Sequence, residues 1–183
     1  GFNDTKVPKE FFKSDHKDAY KQLPASIEDY RATVIVARNP KTGKLEFFKS
    51  KTLLFGACSA VLHYNLLSRV IATLFTRLYK IPVIGYFDDF IGIAPESLGK
   101  RASELFANFN TALGFVVKRE KDKWGKIVPF LGMELEIKDN HVRIHMPEEK
   151  RLARLEEVKE IATSGILTGK HAEKLAGRLN FFQ

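Results

Sequence analysis

Asp88 and Asp89 stand side by side in IPVIGYFDDFIGIAP, residues 81–95, an otherwise apolar run. A buried carboxylate is costly and two adjacent ones repel, so such a pair takes up a proton or holds cations between its oxygens. The flanks, 81–86 and 90–94, are short and rich in β-branched and aromatic residues, which predicts a hairpin with the acids at its turn. In a regular strand neighbouring side chains face opposite ways, whereas a tight turn lets both carboxylates reach one side. Two-metal phosphoryl transfer needs at least one further acid, because each hard cation wants several oxygen ligands. Asp15, in KSDHKDAYKQLP, is the candidate. By residue type alone two plainer alternatives stand: Asp is a common turn residue, and a lysine-rich stretch around Asp15 is an ordinary solvated segment.

The remaining sequence must supply the elements that position these acids. With 183 residues, 44% of them hydrophobic, the chain can bury a sizeable core as one domain or one with a small appendage. Thirty Lys and Arg against 22 acids, a net charge of +8, favour a polyanionic partner such as nucleic acid. The single Cys58 excludes an internal disulfide and any multi-cysteine zinc site, and fits a reducing, intracellular compartment. Residues 59–80 form the longest apolar stretch, but His63, Asn65, Arg69 and Arg77 argue against a membrane span. Leu62, Leu66, Val70, Phe75 and Leu78, widened by Leu67, Ile71 and Leu74, predict a helix buried along that stripe.

Around this helix, 34–37 and 45–48 predict a hairpin turning at NPKTG. Residues 98–113 predict a second amphipathic helix, closed by Gly114. A strand is expected over 115–118, then a cationic loop or strand edge, KREKDKWGK, over 118–126. Leu131, Met133, Leu135 and Ile137, then Val142, Ile144 and Met146, predict another hairpin, turning at Asp139 and Asn140. Helices are expected from Pro147 along Leu152, Leu155, Val158 and Ile161, and over 171–182. His141 and His145 share a strand face, but no Cys or third ligand accompanies them, which argues against zinc. Trp124 either packs on a sheet edge or stacks on a base. The chain begins without an initiator Met or a signal sequence and reads as a fragment.

In order and spacing, DHKDAY (15–20), LLFGACSA (53–60), YFDDF (86–90), LGFVVKREK (113–121) and FLG (130–132) resemble motifs A to E of reverse transcriptases. The closing LTGKHAEKLAGRLNFF resembles the stretch that follows the palm in retrotransposon enzymes. The resemblance covers nearly the whole chain. It implies an α+β fold, a polymerase palm whose antiparallel sheet is backed by helices, with a partial fingers segment and the start of a thumb. The expected divisions are a lead-in with motif A over 1–24, a fingers-like hairpin over 25–55 and the palm over 56–130. A primer-grip-like hairpin over 131–146 and a helical segment over 147–183 complete them. The implied activity is RNA-directed DNA polymerisation, adding deoxyribonucleotides to a DNA primer on an RNA or DNA template with two Mg2+ ions, or Mn2+.

Carried over position by position, the resemblance makes Asp15, Asp88 and Asp89 the catalytic, metal-binding acids, with Asp89 the less demanding third and the backbone of His16 a further ligand. Lys17, Asp18, Ala19 and Tyr20 would line the nucleotide pocket, Tyr20 at the position that blocks a ribose 2′-hydroxyl. Phe55 and Gly56 match the elbow against which nucleotide and template rest, and Gly allows close backbone approach. Lys121 matches the lysine thought to protonate pyrophosphate, with Lys118 and Lys123 near enough to compete. Tyr86, Phe87, Phe130, Leu131 and Gly132 would meet primer and template. Two departures stand out: Leu54 and Ala60 occupy places where many relatives carry Pro, and little sequence precedes motif A to supply triphosphate-clasping basic residues. Two other functions compete: a nucleic-acid-binding fragment that does not polymerise, and an RNA-dependent RNA polymerase. The latter carries an acid where Tyr20 stands.

Overall fold

The computed structural model describes residues 7–139 and 141–180, and it is a mixed α+β chain with antiparallel sheets and four helices among those residues. The expected turn residue Asn140, the lead-in 1–6 and the end of the last expected helix, 181–182, lie outside the described residues. Two compact units meet in sequence after Gly125.

The first unit is organised by β1 (Lys9–Asp15). After it come a hairpin, β2 (Val34–Arg38) and β3 (Leu45–Lys49), the long helix α1 (Cys58–Tyr79), and a second hairpin, β4 (Val83–Tyr86) and β5 (Asp89–Pro95). Helix α2 (Gly99–Ala112) and the short strand β6 (Lys123–Gly125) complete it. The principal sheet runs β4-β5-β1-β6, antiparallel throughout, with β1 in the middle and Asp15 opposite Asp89. Alternation along β1 sends Phe12 and Ser14 to one face and Phe11, Lys13 and Asp15 to the other. Phe12 enters the core with Phe75, Phe90 and Phe106, where α1 and α2 cover the sheet. The backbone amide of Gly99 donates to Glu10 Oε1 at 2.6 Å, so a strand carboxylate satisfies an orphan amide at the start of α2 and fixes that helix to β1.

Helix α1 forms where expected, but only part of the expected stripe is buried: Ile71 and Phe75 enter the core and Leu67 packs against it. Its buried residues are Ala60, Tyr64, Ser68, Ile71, Ala72 and Phe75, while Leu62 (70% exposed), Leu66, Val70, Leu74 and Leu78 lie outward. The reason is close approach. A Cβ added to Gly85 of β4 would sit 3.3 Å from the Ser68 Cβ, so the helix meets the sheet through small residues that bulkier leucines would hold apart. By length and composition α1 could cross a bilayer, and it is the one helix among the described residues of which this is true. The face that buries Tyr64, Ile71 and Phe75 packs as a core helix packs. The strand expected over 115–118 is reduced to one bridge, Val117 to His16, because β1 ends there.

The second unit is a meander, β7 (Ile127–Phe130), β8 (Met133–Lys138) and β9 (His141–His145), followed by α3 (Glu148–Ser164) and α4 (Gly169–Asn180). Phe130, Leu131 and Gly132 were expected to begin a hairpin, and instead they close one. Phe130 pairs with Met133 around a turn in which Leu131 and Gly132 take φ of 51° and 81°. The extra strand β7, at IVPF, has Pro129 within it, a residue that weakens a strand reading. His145 faces Glu134 and Glu136, at 3.7 and 3.9 Å, on neighbouring β8. Glu157 gathers Arg154, His171 and Arg178, linking α3 to α4.

Gly92, on β5 opposite Phe12, has no room for a side chain: an added Cβ would lie 2.3 Å from the Phe12 ring and 3.0 Å from the Pro82 carbonyl. Gly92→Ala is therefore expected to destabilise the first unit by about 1–3 kcal/mol through overpacking. Urea denaturation measures it, and an unchanged midpoint would show that the β1–β5 seam is looser than this geometry.

Candidate metal and nucleotide site

The expected acids meet at one end of the β1–β5 pair. The hairpin turn between Tyr86 and Asp89 is made by Phe87 and Asp88, and Phe87 takes φ 52°, a left-handed conformation that a bulky residue adopts at a cost of about 1–2 kcal/mol. The His16 amide donates to the Asp88 carbonyl at 3.0 Å, stitching the end of β1 to this turn. Asp88 lies near both other acids. Burial first, and then the charges of Asp15 and Asp89, raise its carboxyl above the usual range, against a backbone hydrogen bond that lowers it.

Asp15 is 3% exposed and its two oxygens are treated differently. Oδ2 accepts from Lys121 Nζ at 2.9 Å, with Lys118 Nζ at 3.7 Å, whereas Oδ1 is buried with no hydrogen-bond partner. A buried carboxylate oxygen left unmatched is costly, and it fits a cation ligand. Asp89, the expected third ligand, is paired with a lysine: Lys13 Nζ holds its Oδ1 at 3.0 Å. This pairing relieves repulsion among the three acids by drawing one of them toward a lysine two residues back on the facing strand. Among the described residues no three His, Cys, Asp or Glu side chains gather closely enough to hold a metal ion by themselves. The donor set that fits a divalent cation is Asp15 Oδ1 with the Asp88 carboxylate. The hydrogen bond and charge of Asp15 raise the Lys121 ammonium above its usual value, so it stays charged.

His16 serves in a way sequence reasoning missed. Its side chain is buried, stacked on Phe115 at 5.2 Å, with Nδ1 2.6 Å from the Tyr64 hydroxyl and Nε2 2.8 Å from Asn110 Oδ1. The Asn110 amide nitrogen donates to the Phe106 carbonyl, so its oxygen faces the ring and accepts from Nε2–H. Nδ1 must then accept from the Tyr64 hydroxyl. Burial lowers the imidazole below its ordinary value, against the Asn110 hydrogen bond and the charge of Asp15, and keeps it neutral. Burial, then Asp88 and Asp15, push the Tyr64 hydroxyl far upward, so it remains a donor. Signals existed in the sequence, a polar Asn110 one turn after Phe106 on the apolar face of α2 and a lone His beside Asp15. The partners are 48 and 94 residues away, beyond what local spacing shows.

Tyr20 packs edge-on to Phe55 at 4.9 Å and to Tyr64 at 5.1 Å, and burial followed by the Asp88 charge raises its hydroxyl. Ala19 is buried beneath this corner, while Lys17 and Asp18 are exposed, Asp18 with φ 51°. Gly56 takes φ 86° with nothing within 4 Å of an added Cβ, which leaves space beside Phe55. Tyr86 is exposed and its ring meets Phe87 at 4.6 Å. One corner of the first unit thus unites Asp15, Asp88 and Asp89, Lys121, and the Tyr20–Phe55 wall. Phe130, Leu131 and Gly132 belong to the second unit. No protein-family model matches the chain, and no curated protein is significantly similar to it.

Tyr64→Phe is expected to cost about 1–3 kcal/mol by leaving His16 Nδ1 buried without a donor. Because the folded value of His16 lies below 6.5, the unfolded chain binds the extra proton, so stability declines as pH falls below 6.5 toward the folded value. His16→Gln should lack that decline, and denaturant melts across pH compare the two. For Asp88 the sign is reversed. Its folded value lies above 3.8, so the ionised carboxylate costs stability at neutral pH and the cost vanishes as pH falls through the folded value toward 3.8. Asp88→Asn should therefore raise the melting temperature at neutral pH and leave it unchanged near 3.8. A lower neutral melting temperature would mean that Asp88 is held by attraction.

Proposed function

We propose that this chain is the palm of an RNA-directed DNA polymerase, working on an RNA template, a DNA primer and deoxyribonucleoside triphosphates inside the cell. The observation that carries the reading is the convergence of Asp15 and Asp88, with Asp15 Oδ1 buried and unpartnered, beside an aromatic wall of Tyr20 and Phe55. The order of the first four motifs supports it independently, since Asp15, Tyr20, Phe55, Asp88 and Lys121, far apart in sequence, are neighbours in this corner.

Asp15 Oδ1 and the Asp88 carboxylate would hold magnesium or manganese, and Asp89 would join on leaving Lys13. Bound there, the ions supply charge that favours deprotonation of the primer 3′-hydroxyl and neutralises departing pyrophosphate. With Asp15 holding a cation, the Lys121 ammonium would be free to face the leaving phosphates and give them a proton. Tyr20 would set the sugar: its ring packs edge-on against Phe55 and Tyr64, which would hold it against a 2′-hydroxyl arriving there. Phe130, Leu131 and Gly132 form a tight turn suited to gripping a primer end.

A second reading has its own observation. Lys121 and Lys118 already neutralise Asp15, so the acids can be stable without a metal and the basic chain can bind nucleic acid without polymerising.

Single-nucleotide addition to a primed RNA template separates the two, assayed with the chain alone and joined to an upstream fingers segment. Asp88→Asn and Asp15→Asn should abolish addition while leaving duplex binding. Tyr20→Ala should raise the ribonucleotide-to-deoxyribonucleotide ratio by roughly 30-fold to 1,000-fold, which corresponds to about 2–4 kcal/mol of relieved rejection. Duplex binding with no metal-dependent addition in either form favours the binding module. Addition with an unchanged ratio in Tyr20→Ala removes the gate.

A further inference from the structure

Trp124 is the chain's single tryptophan, and it stands 45% exposed on β6, the edge of the principal sheet. Its register partner is Phe12, whose ring is buried under the helices, so Trp124 belongs to the helix-covered face. Asp15, an odd number of residues along β1, is on the opposite face. Whatever Trp124 meets is therefore separate from the acid site.

Beside the ring lies a cleft of about 360 Å3, with Lys100, Ser103, Glu104 and Asn108 of α2 on one wall and Arg119, Asp122 and Trp124 on the other. Lys100 Nζ is 5.9 Å from the ring centroid, placing a cation over the ring face. The Arg119 guanidinium donates to Asn108 Oδ1 at 3.1 Å and to Asp122 Oδ2 at 3.5 Å, yet its side chain is still 48% exposed. It is a fixed cation with an open side, and less ordering is needed when an anion arrives. Lys118 and Lys121, from the same basic run, are committed to Asp15, which leaves Lys100 and Arg119 as the positive charges of this cleft.

We propose that this α2–β6 edge binds single-stranded nucleic acid, one base stacked on Trp124 and the adjoining phosphates on Lys100 and Arg119. The ring offers a face to any base, the cations suit phosphate, and Glu104 and Asn108 can accept from an N–H on a base edge, the ring N3–H in thymine. The cleft has room for about one nucleotide, at the small end of ligand pockets. An acidic peptide fits less well, because it brings no base to stack on the Trp124 ring. The site does not depend on the polymerase reading, and an unpaired strand could occupy it whether or not the acids turn over.

With one tryptophan, intrinsic fluorescence reads this site directly. Short oligo(dT) should quench Trp124 emission saturably, with affinity falling steeply as salt rises. Trp124→Ala should weaken binding about tenfold or more, measured by anisotropy of a labelled strand, and Trp124→Phe should retain most of it. Lys100→Ala and Arg119→Ala should each weaken it several-fold. An abasic oligomer of equal length should bind without quenching. Binding seen by anisotropy but without quenching, or insensitive to Trp124→Ala, would place the strand elsewhere and overturn the proposal. So would an absence of binding at low salt, or equal quenching by polyglutamate.

Discussion

The antiparallel pairing of β1 with β5 is the constraint on which the candidate site depends. Its register sets Asp15 against Asp89 at one end and Phe12 against Gly92 in the middle. Because side chains alternate along each strand, a slip of one residue would drive the acids into the helix-covered core and take Phe12 out of it. Gly92 enforces the pairing by leaving a gap that only the Phe12 ring fills. Packing in the core and chemistry at the strand end thus share one register, and neither can drift without the other.

Carboxylates gathered this closely need compensation, and the chain supplies it from two directions. Lys13, Lys118 and Lys121 provide cations at the rim, where their own stems stay partly in water. Beneath, the neutral His16–Tyr64–Asn110 network binds the end of β1 to both helices without adding charge to a crowded region. A protonated His16 would also attract Asp15, but burial disfavours that form. The result is an acid cluster held by a neutral floor and a cationic rim.

The two faces of the sheet carry different potential uses. The acids and the Tyr20–Phe55 wall belong to one corner, while Trp124, Lys100 and Arg119 belong to the edge on the other face. A net charge of +8 is consistent with nucleic acid meeting more than one of these surfaces.

Composition, alternation and turn chemistry were enough to determine the hairpin that carries Asp88, the extent of α1 and α2, and the helices after Pro147, because each is a local pattern with its own period. Residue type also singled out Asp15, whereas Tyr20, Phe55 and Lys121 came only from the motif resemblance. Tertiary structure alone decided which face of α1 is buried. A leucine stripe at helical spacing looked like the core, yet of that stripe only Ile71 and Phe75 are fully buried, and Tyr64, Ser68 and Ala72 take the inward places beside them, with Ser68 close to Gly85. It alone joined His16 to Tyr64 and Asn110, and gave Asp89 to Lys13 rather than to its neighbour Asp88. Periodicity reports that a residue lies on a stripe, but whether that stripe is covered, and which distant group satisfies a buried polar atom, is settled only when separate elements compete for the same space.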